Sequence, residues 1–91
     1  MSARRTGTIR IVNRLGLHAR PAMAMADLAN TFASAVRLRN GEQVVDAKSI
    51  MEILMLAAVK GTELQLECEG PDAEGCYDAL ARLVANGFDE D

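Results

Sequence analysis

The sequence predicts an α+β domain in which four antiparallel strands form one sheet and three helices cover one face of it, in the order β-α-β-β-α-β-α. Four segments alternate apolar and polar residues with the period of a strand, and three others repeat apolar residues with the period of a helix. Several strands carry polar residues on their outward positions, which favours a sheet with one face open to water. The chain has 91 residues, so residues 1–91 form a single domain with one modest core.

Composition and charge exclude several classes of protein. A net charge of −3 with one Tyr, two Phe and no Trp argues against binding to nucleic acid. No apolar run approaches the roughly 20 residues of a membrane span, and no apolar segment follows the N-terminal arginines to make a secretory signal. Cys68 and Cys76 form no C-x-x-C motif, which indicates a reduced, cytoplasmic protein. With one histidine and two distant cysteines, we expect neither a metal nor a cofactor.

Periodicity predicts the first two elements. Residues 8–13 form a strand, because Ile9 and Ile11 point to the same face. Residues 21–32 form a helix that begins at Pro21, since proline is favoured in a first helical turn. The spacing of its apolar face is given by Pro21, Met25, Leu28 and Phe32.

A hairpin follows this helix. Residues 35–39 alternate between apolar and polar side chains, and residues 42–45 return along them. Between the two segments lies Asn40-Gly41, a dipeptide typical of a tight turn between strands. The hairpin supplies the second and third strands.

The second helix is predicted over residues 50–57, with Ser49 as its N-cap. Ser49 and Glu52 form an S-x-x-E capping box, in which each side chain satisfies the backbone N–H of the other residue. The helix has more apolar residues than one buried stripe needs, so some of them lie at the surface. An exposed apolar patch of this kind often marks a partner site.

The last elements are a strand, a helix and a tail. Residues 63–69 alternate most regularly, and Cys68 takes an inward core position. Asp72 is the predicted N-cap of the third helix, which ends at Asn86-Gly87. Residues 89–91 are all acidic, which predicts a solvated tail.

The residues around His18 suit phosphate chemistry. His18 precedes or opens a helix, where backbone N–H groups converge and the helix dipole is positive. Arg20 offers a planar fork of donors that fits phosphate, and Gly16 allows a sharp turn after the first strand. A phosphate can be received there on a histidine nitrogen, held and given away.

These residues also have an ordinary interpretation. A single histidine near a helix start is commonly a partly exposed loop residue, and Arg20 can be a solvated charge. A P-loop is excluded, because no Gly-Lys-Ser/Thr follows the glycine. Local chemistry therefore leaves open both phosphate transfer and an αβ domain without it.

Two blocks of sequence resemble the signatures of HPr, the histidine-containing phosphocarrier of the bacterial phosphoenolpyruvate-dependent phosphotransferase system. The first is GLHARPA at residues 16–22, and the second is DAKSIM at residues 46–51. Their order and separation match those of HPr, and the likeness covers nearly the whole chain. The resemblance implies an open-faced β-sandwich, a four-stranded antiparallel sheet covered on one face by three helices.

The resemblance also implies what the first block does. His18 matches the family's phosphorylated histidine, whose Nδ1 takes a phosphoryl group from phospho-enzyme I and passes it to an enzyme IIA protein. Arg20 matches the arginine that steadies the negative charge, and Pro21 matches the proline that starts the helix. A protein of this kind is a monomeric phosphoryl carrier in sugar transport and not an enzyme.

The second block implies regulation and docking. Ser49 matches the serine that HPr kinase/phosphorylase phosphorylates in some bacteria. A phosphate there adds about two negative charges beside the surface that meets partners. The residues that fall on the family's docking surface are Ala19, Met23, Ile50, Met51 and Leu54.

The resemblance leaves the branch of the family open. Residues 52–58 and 86–91 resemble the nitrogen-related branch, NPr, whereas residues 46–51 resemble sugar-type HPr. The alternative function is therefore a nitrogen-related regulatory module that controls enzymes or transcription regulators by docking. Incubation with enzyme I and phosphoenolpyruvate separates a phosphoryl carrier from a module that only docks, because only a carrier gains acid-labile phosphate.

Overall fold

The computed structural model describes residues 3–90 and has the predicted order of elements. The strands are β1 (Ala3–Arg10), β2 (Ala35–Asn40), β3 (Gln43–Asp46) and β4 (Glu63–Gly70), and the helices are α1 (Ala19–Ala29), α2 (Ile50–Met55) and α3 (Ala73–Ala85). A single turn at Gly87–Asp89 follows α3. Within the described residues, no helix has both the length and the apolar character needed to span a membrane.

The four strands form one antiparallel sheet in the order β1-β4-β2-β3. One face packs under the helices, and the other carries polar rows such as Thr6, Glu67, Arg37 and Asp46 across the strands. On that open face Arg37 donates to Glu67 at 2.9 Å through Nε. The predicted fold class is confirmed.

The core lies between the sheet and the helices. The apolar positions of β2 and β4 and the apolar faces of the helices are buried there, as the strand and helix patterns predicted. Cys68 is buried as predicted. The largest apolar side chains that are completely buried are Ile11, Met25, Leu38, Ile53, Leu64, Leu66 and Leu80.

β1 begins five residues earlier than predicted and ends at Arg10, whereas the prediction was 8–13. Its first half lacks the alternation of apolar and polar residues that predicts a strand. Tyr77 of α3 provides the apolar contact with this half instead. The guanidinium of Arg5 lies over the Tyr77 ring, 3.9 Å from its centroid. Gly7 leaves room for the ring, since a Cβ on Gly7 would lie 2.0 Å from the hydroxyl oxygen.

α1 spans Ala19–Ala29 rather than residues 21–32. Pro21 is its third residue, not its first, which the helix tolerates because N–H groups of the first turn have no intrahelical partner. At the other end, the side-chain amide of Asn30 donates to the carbonyl of Ala26 at 2.8 Å. The helix therefore starts two residues earlier and stops three residues earlier than predicted.

α2 confirms half of the predicted capping box. The Ser49 hydroxyl accepts from the N–H of Glu52 at 3.2 Å. The Glu52 carboxylate, however, accepts from the N–H of Asp46 at 3.0 Å, because the N–H of Ser49 already donates to the Asp46 carbonyl. α2 also ends at Met55 and not at residue 57, since Ala57 has a left-handed φ of 48°.

Asp72 occupies the N-cap position of α3 without capping it by its side chain. Its carboxylate instead accepts from the N–H of Ala33 and from the N–H and hydroxyl of Ser34. These hydrogen bonds hold the pKa of Asp72 below its usual value, with the Ser34 hydroxyl as the largest cause. The residue predicted as a local cap therefore ties the loop after α1 to the start of α3.

Candidate functional site

The loop before α1 is pinned to the segment that follows α2. Gly16 has a left-handed φ of 71°, and a Cβ there would lie 2.4 Å from the carbonyl oxygen of Ala58. The N–H of Leu17 donates to that same carbonyl at 2.9 Å. Because only glycine fits this approach without strain, Gly16 fixes where His18, two residues further on, leaves the loop.

His18 is the N-cap residue of α1. Its backbone is extended, with φ −81° and ψ −170°, and its carbonyl accepts from the N–H of Ala22 at 3.0 Å. Among residues 3–90 no side chain caps the N-terminus of α1. The first N–H groups of the helix, those of Ala19 and Arg20, therefore remain available to an anion beside the imidazole. The His18 side chain is 37 % exposed.

The imidazole is held by the C-terminal segment. Nε2 of His18 lies 2.8 Å from Oε1 of Glu90, and that oxygen also accepts from the side-chain amide of Asn13 at 3.0 Å. The Asn13 amide donates in addition to the carbonyl of Gly16 at 2.7 Å. Asn13 is buried. Through these two hydrogen bonds, its side-chain amide joins the His18 loop to the tail.

The predicted solvated tail is wrong for Glu90, whose side chain is only 18 % exposed. Three successive residues with left-handed φ, Gly87, Phe88 and Asp89, turn the chain back toward the site. A left-handed conformation disfavours a residue other than glycine by roughly 1–2 kcal/mol, and burial of the Phe88 ring opposes that strain. Asp89 is exposed as predicted, and Asp91 lies outside the described residues.

The contact with Glu90 determines which imidazole nitrogen carries the proton. The hydrogen bond from His18 is the largest of the effects that hold the pKa of Glu90 below its usual value, so the carboxyl group is ionised at neutral pH. A carboxylate only accepts hydrogen bonds. Nε2 of His18 must therefore carry the proton and donate a hydrogen bond to it, and a neutral ring then has its free lone pair on Nδ1.

Arg20 lies in the first turn of α1, and its side chain is exposed. Its positive charge is one of the smaller causes of the lowered pKa of Glu90, which places it within electrostatic reach of the pair. His18 and Arg20, predicted together from the sequence, are thus brought together with Glu90.

Ser49 lies at the start of α2, away from the imidazole. The segment that touches the His18 loop follows the other end of this six-residue helix, and six helical residues span about 9 Å. Ser49 is half-buried, and its hydroxyl oxygen accepts the hydrogen bond from Glu52. It is therefore a second feature of the same face and not part of the His18 site.

The residues predicted for docking differ in exposure. Ala19, Met23, Met51 and Leu54 are exposed, whereas Ile50 is half-buried and packs against the core. α1 packs against α2, so the two helices present these residues together. Exposed apolar side chains near them that the prediction did not include are Leu15, Met55 and Val59.

Two site residues were missed by sequence reasoning. Glu90 lies in an acidic run, which is typical of a solvated tail, and no spacing rule links it to His18. Asn13 gave a weak signal as a polar residue at the end of an apolar strand. Within residues 3–90, histidine, cysteine and acidic side chains form no group of three or more that can hold a metal ion.

Comparisons with known proteins show which family and which fold this chain is similar to. The family profile described as the PTS HPr component phosphorylation site matches residues 5–86. The chain is 52 % identical over 81 residues to phosphocarrier protein HPr of Cupriavidus necator, covering 88 % of this chain and 90 % of that one. It is 48 % identical over 84 residues to phosphocarrier protein NPr of Proteus mirabilis, covering 91 % and 93 %. The structure of HPr-C-His from Thermoanaerobacter tengcongensis superimposes with a TM-score of 0.92 at 38 % identity, covering 96 % of this chain and 98 % of that one.

Proposed function

Because this chain belongs to the HPr family of phosphotransferase-system phosphocarriers, which carry a phosphoryl group rather than catalyse a reaction, we propose that His18 accepts a phosphoryl group from phospho-enzyme I and passes it to an enzyme IIA protein. The observation that supports this most is the Nε2 contact of His18 with Glu90 at 2.8 Å. It leaves Nδ1 as the nucleophile beside the open end of α1.

In the accepting step, the Nδ1 lone pair attacks the phosphorus atom that enzyme I presents. The bond from phosphorus to its donor group on enzyme I breaks as the bond to Nδ1 forms, and that donor group keeps the electron pair. The imidazole ring becomes positive while Nε2 keeps its proton. Glu90, 2.8 Å away and ionised, offsets the new charge.

The transferred group is received by the start of α1. Its oxygens are negative, and the N–H groups of Ala19 and Arg20 together with the helix dipole favour negative charge there. The exposed guanidinium of Arg20 adds charge-assisted hydrogen bonds during transfer.

The donating step runs the same chemistry in reverse. The bond between phosphorus and Nδ1 breaks, the electron pair returns to Nδ1, and the acceptor on enzyme IIA gains the phosphoryl group. The contacts of Glu90 with His18 and Asn13 form within one chain, so the proposed mechanism needs no second copy and is proposed for a monomer. Partners dock on the exposed apolar side chains of α1 and α2 that border the site.

Ser49 is proposed as a regulatory phosphorylation site of HPr kinase/phosphorylase. Its position at the start of α2, beside the exposed Met51 and Leu54, supports this proposal. A phosphate on Ser49 would place about two negative charges at the edge of the docking surface. That charge is expected to weaken docking to an acidic partner.

The test of the carrier function uses the only histidine of the chain. Incubation of the protein with enzyme I and phosphoenolpyruvate should yield acid-labile phosphate on wild type and none on His18→Ala. A melting curve of the variant shows whether it remains folded. Acid-labile phosphate on folded His18→Ala would contradict the assignment.

The alternative function is a nitrogen-related regulatory module, which the 48 % identity to an NPr protein favours. In this role the protein docks on enzymes or transcription regulators and does not feed sugar uptake. Purified enzyme I from a sugar-type system and from a nitrogen-type system should be compared as donors. The donor that phosphorylates His18 faster identifies the branch.

A further inference from the structure

Three exposed thioethers lie in or beside the proposed docking surface. The side chains of Met23, Met51 and Met55 are 50 %, 76 % and 67 % exposed, while Met25 is completely buried. Met51 and Met55 are four residues apart on α2, so they lie on the same side of that helix. Met23 lies on α1, which packs against α2.

We call Met23, Met51 and Met55 the methionine surface, and the segment that follows Met55 contacts the His18 loop directly. The carbonyl of Ala58, three residues after Met55, accepts from the N–H of Leu17 at 2.9 Å. A Cβ on Gly16 would lie 2.9 Å from the Cα of Val59, so the two segments pack backbone to backbone. The end of α2 that carries Met55 therefore leads directly into the segment beside the His18 loop.

Within residues 3–90, the other sulfur atoms are protected from oxidants. Cys68 and Cys76 are fully buried. Burial raises the pKa of the Cys68 thiol to about 12 and also raises the pKa of Cys76, so neither is a reactive thiolate at neutral pH. A thioether reacts without losing a proton, which leaves the exposed methionines as the accessible sulfur nucleophiles of the described chain.

We propose that the methionine surface is an oxidant-sensitive modification site that controls docking of phosphoryl donors and acceptors. A hydroperoxide transfers one oxygen atom to each thioether. The S–O bond forms as the O–O bond breaks, the sulfur is oxidised to the sulfoxide, and the peroxide is reduced to water or an alcohol. This inference rests on the proposed function, because it needs a partner that docks beside His18.

Oxidation changes the surface and not the fold. A sulfoxide is polar and accepts hydrogen bonds, so it is disfavoured in an apolar interface. The three side chains already face water, whereas Met25 packs in the core and is shielded from the oxidant. A methionine sulfoxide reductase restores the thioether, which makes the change reversible.

The test treats the full-length protein with hydrogen peroxide, removes the peroxide with catalase, and then adds untreated enzyme I and phosphoenolpyruvate. Peptide masses should show oxygen on Met23, Met51 and Met55 and none on Met25. The melting curve should be unchanged. The initial rate of His18 phosphorylation should fall by about tenfold or more, which is the effect of losing a few interface anchors, and reductase treatment should restore it.

The matched variant replaces all three exposed methionines with leucine and keeps Met1 and Met25. Each protein is compared with itself, as the ratio of the rate after oxidation to the rate before. The ratio should fall for wild type and stay near one for the leucine variant. A similar fall in both proteins, or no fall in wild type, overturns the proposal. If untreated wild type takes no phosphate, both the proposed function and the oxidation proposal are overturned.

Discussion

The two helices that flank the site begin in opposite ways. At α2, the Ser49 hydroxyl accepts from Glu52, and the Glu52 carboxylate accepts from Asp46, so the cap is built from residues 46–52 alone. At α1, no side chain of residues 3–90 caps the first turn. The residue at its N-cap, His18, bonds instead to Glu90, 72 residues further along the chain.

The difference indicates what each helix start is for. At a capped start, nearby residues satisfy the free backbone N–H groups, which stabilises the fold, typically by about 1 kcal/mol. An uncapped start keeps N–H donors and a positive potential available to a ligand. We therefore expect substitutions at α1 to change phosphoryl transfer with little effect on stability, and substitutions at α2 to change stability.

Among variants that keep His18, Arg20→Ala should give the largest effect on transfer. Loss of a charged donor beside the developing negative charge is expected to slow phosphorylation by enzyme I about 100-fold. Because the Arg20 side chain is exposed, the melting temperature should hardly change. Arg14→Ala is the matched control, since it removes an exposed arginine from the loop that precedes α1. A strong loss of stability with normal transfer would make Arg20 a structural residue.

Glu90→Gln should have the next largest effect, a decrease in the transfer rate of about tenfold, because the imidazole loses the charge that orients it. Asp89→Asn removes the same charge one residue away, on an exposed side chain, and should transfer normally. The ring-nitrogen chemical shifts of His18 should show the proton on Nε2 in wild type and a mixture of tautomers in Glu90→Gln. Identical shifts in the two proteins would remove Glu90 from the mechanism.

The same variant should alter the pH dependence of stability. The pKa of Glu90 is lowered in the folded protein, mainly by the hydrogen bond from His18. Its contribution is therefore present above the ordinary carboxyl pKa and is lost as the pH falls through the lowered value. Melting curves recorded on acidification should show the difference between wild type and Glu90→Gln becoming smaller. A difference that stays constant across this range would contradict the contact.

Two variants of Ser49 should separate capping from docking. Ser49→Ala loses the bond to the N–H of Glu52 and should reduce stability by about 1 kcal/mol, with normal transfer. Ser49→Asp can still cap and should melt like wild type, but its charge should slow phosphorylation by enzyme I. The melting curves and transfer rates of both variants are measured together. Equal rates for wild type and Ser49→Asp would place the docking surface elsewhere.

Ala57→Gly should have the smallest effect, a gain in stability of up to about 1 kcal/mol. Ala57 follows α2 with a left-handed φ of 48°, a conformation that glycine adopts without strain. Thermal unfolding checks the gain, and the transfer rate should not change. A loss of stability would mean that the alanine methyl group has favourable contacts that outweigh the strain.

The sequence alone determined the order of elements, the inward face of β4 and the placement of His18 and Arg20 at the start of a helix. Each depends on residues that are close in the chain: alternation within a strand, apolar spacing within a helix, and a motif of seven residues, 16–22. Hydrogen bonds and side-chain faces within such segments follow from the local backbone geometry.

Tertiary structure decided which residues contact His18 and which elements depend on residues from distant segments. β1 begins at Ala3 because Tyr77 covers its polar first half. The Asp72 carboxylate binds the loop after α1 because Ser34 lies beside it. Glu90 reached His18 because the tail turns back over buried Phe88. Each contact depends on how distant segments pack, and periodicity along the chain carries no information on that packing. For this reason the sequence predicts a solvated acidic tail, whereas in the structure Glu90 of that tail holds the imidazole.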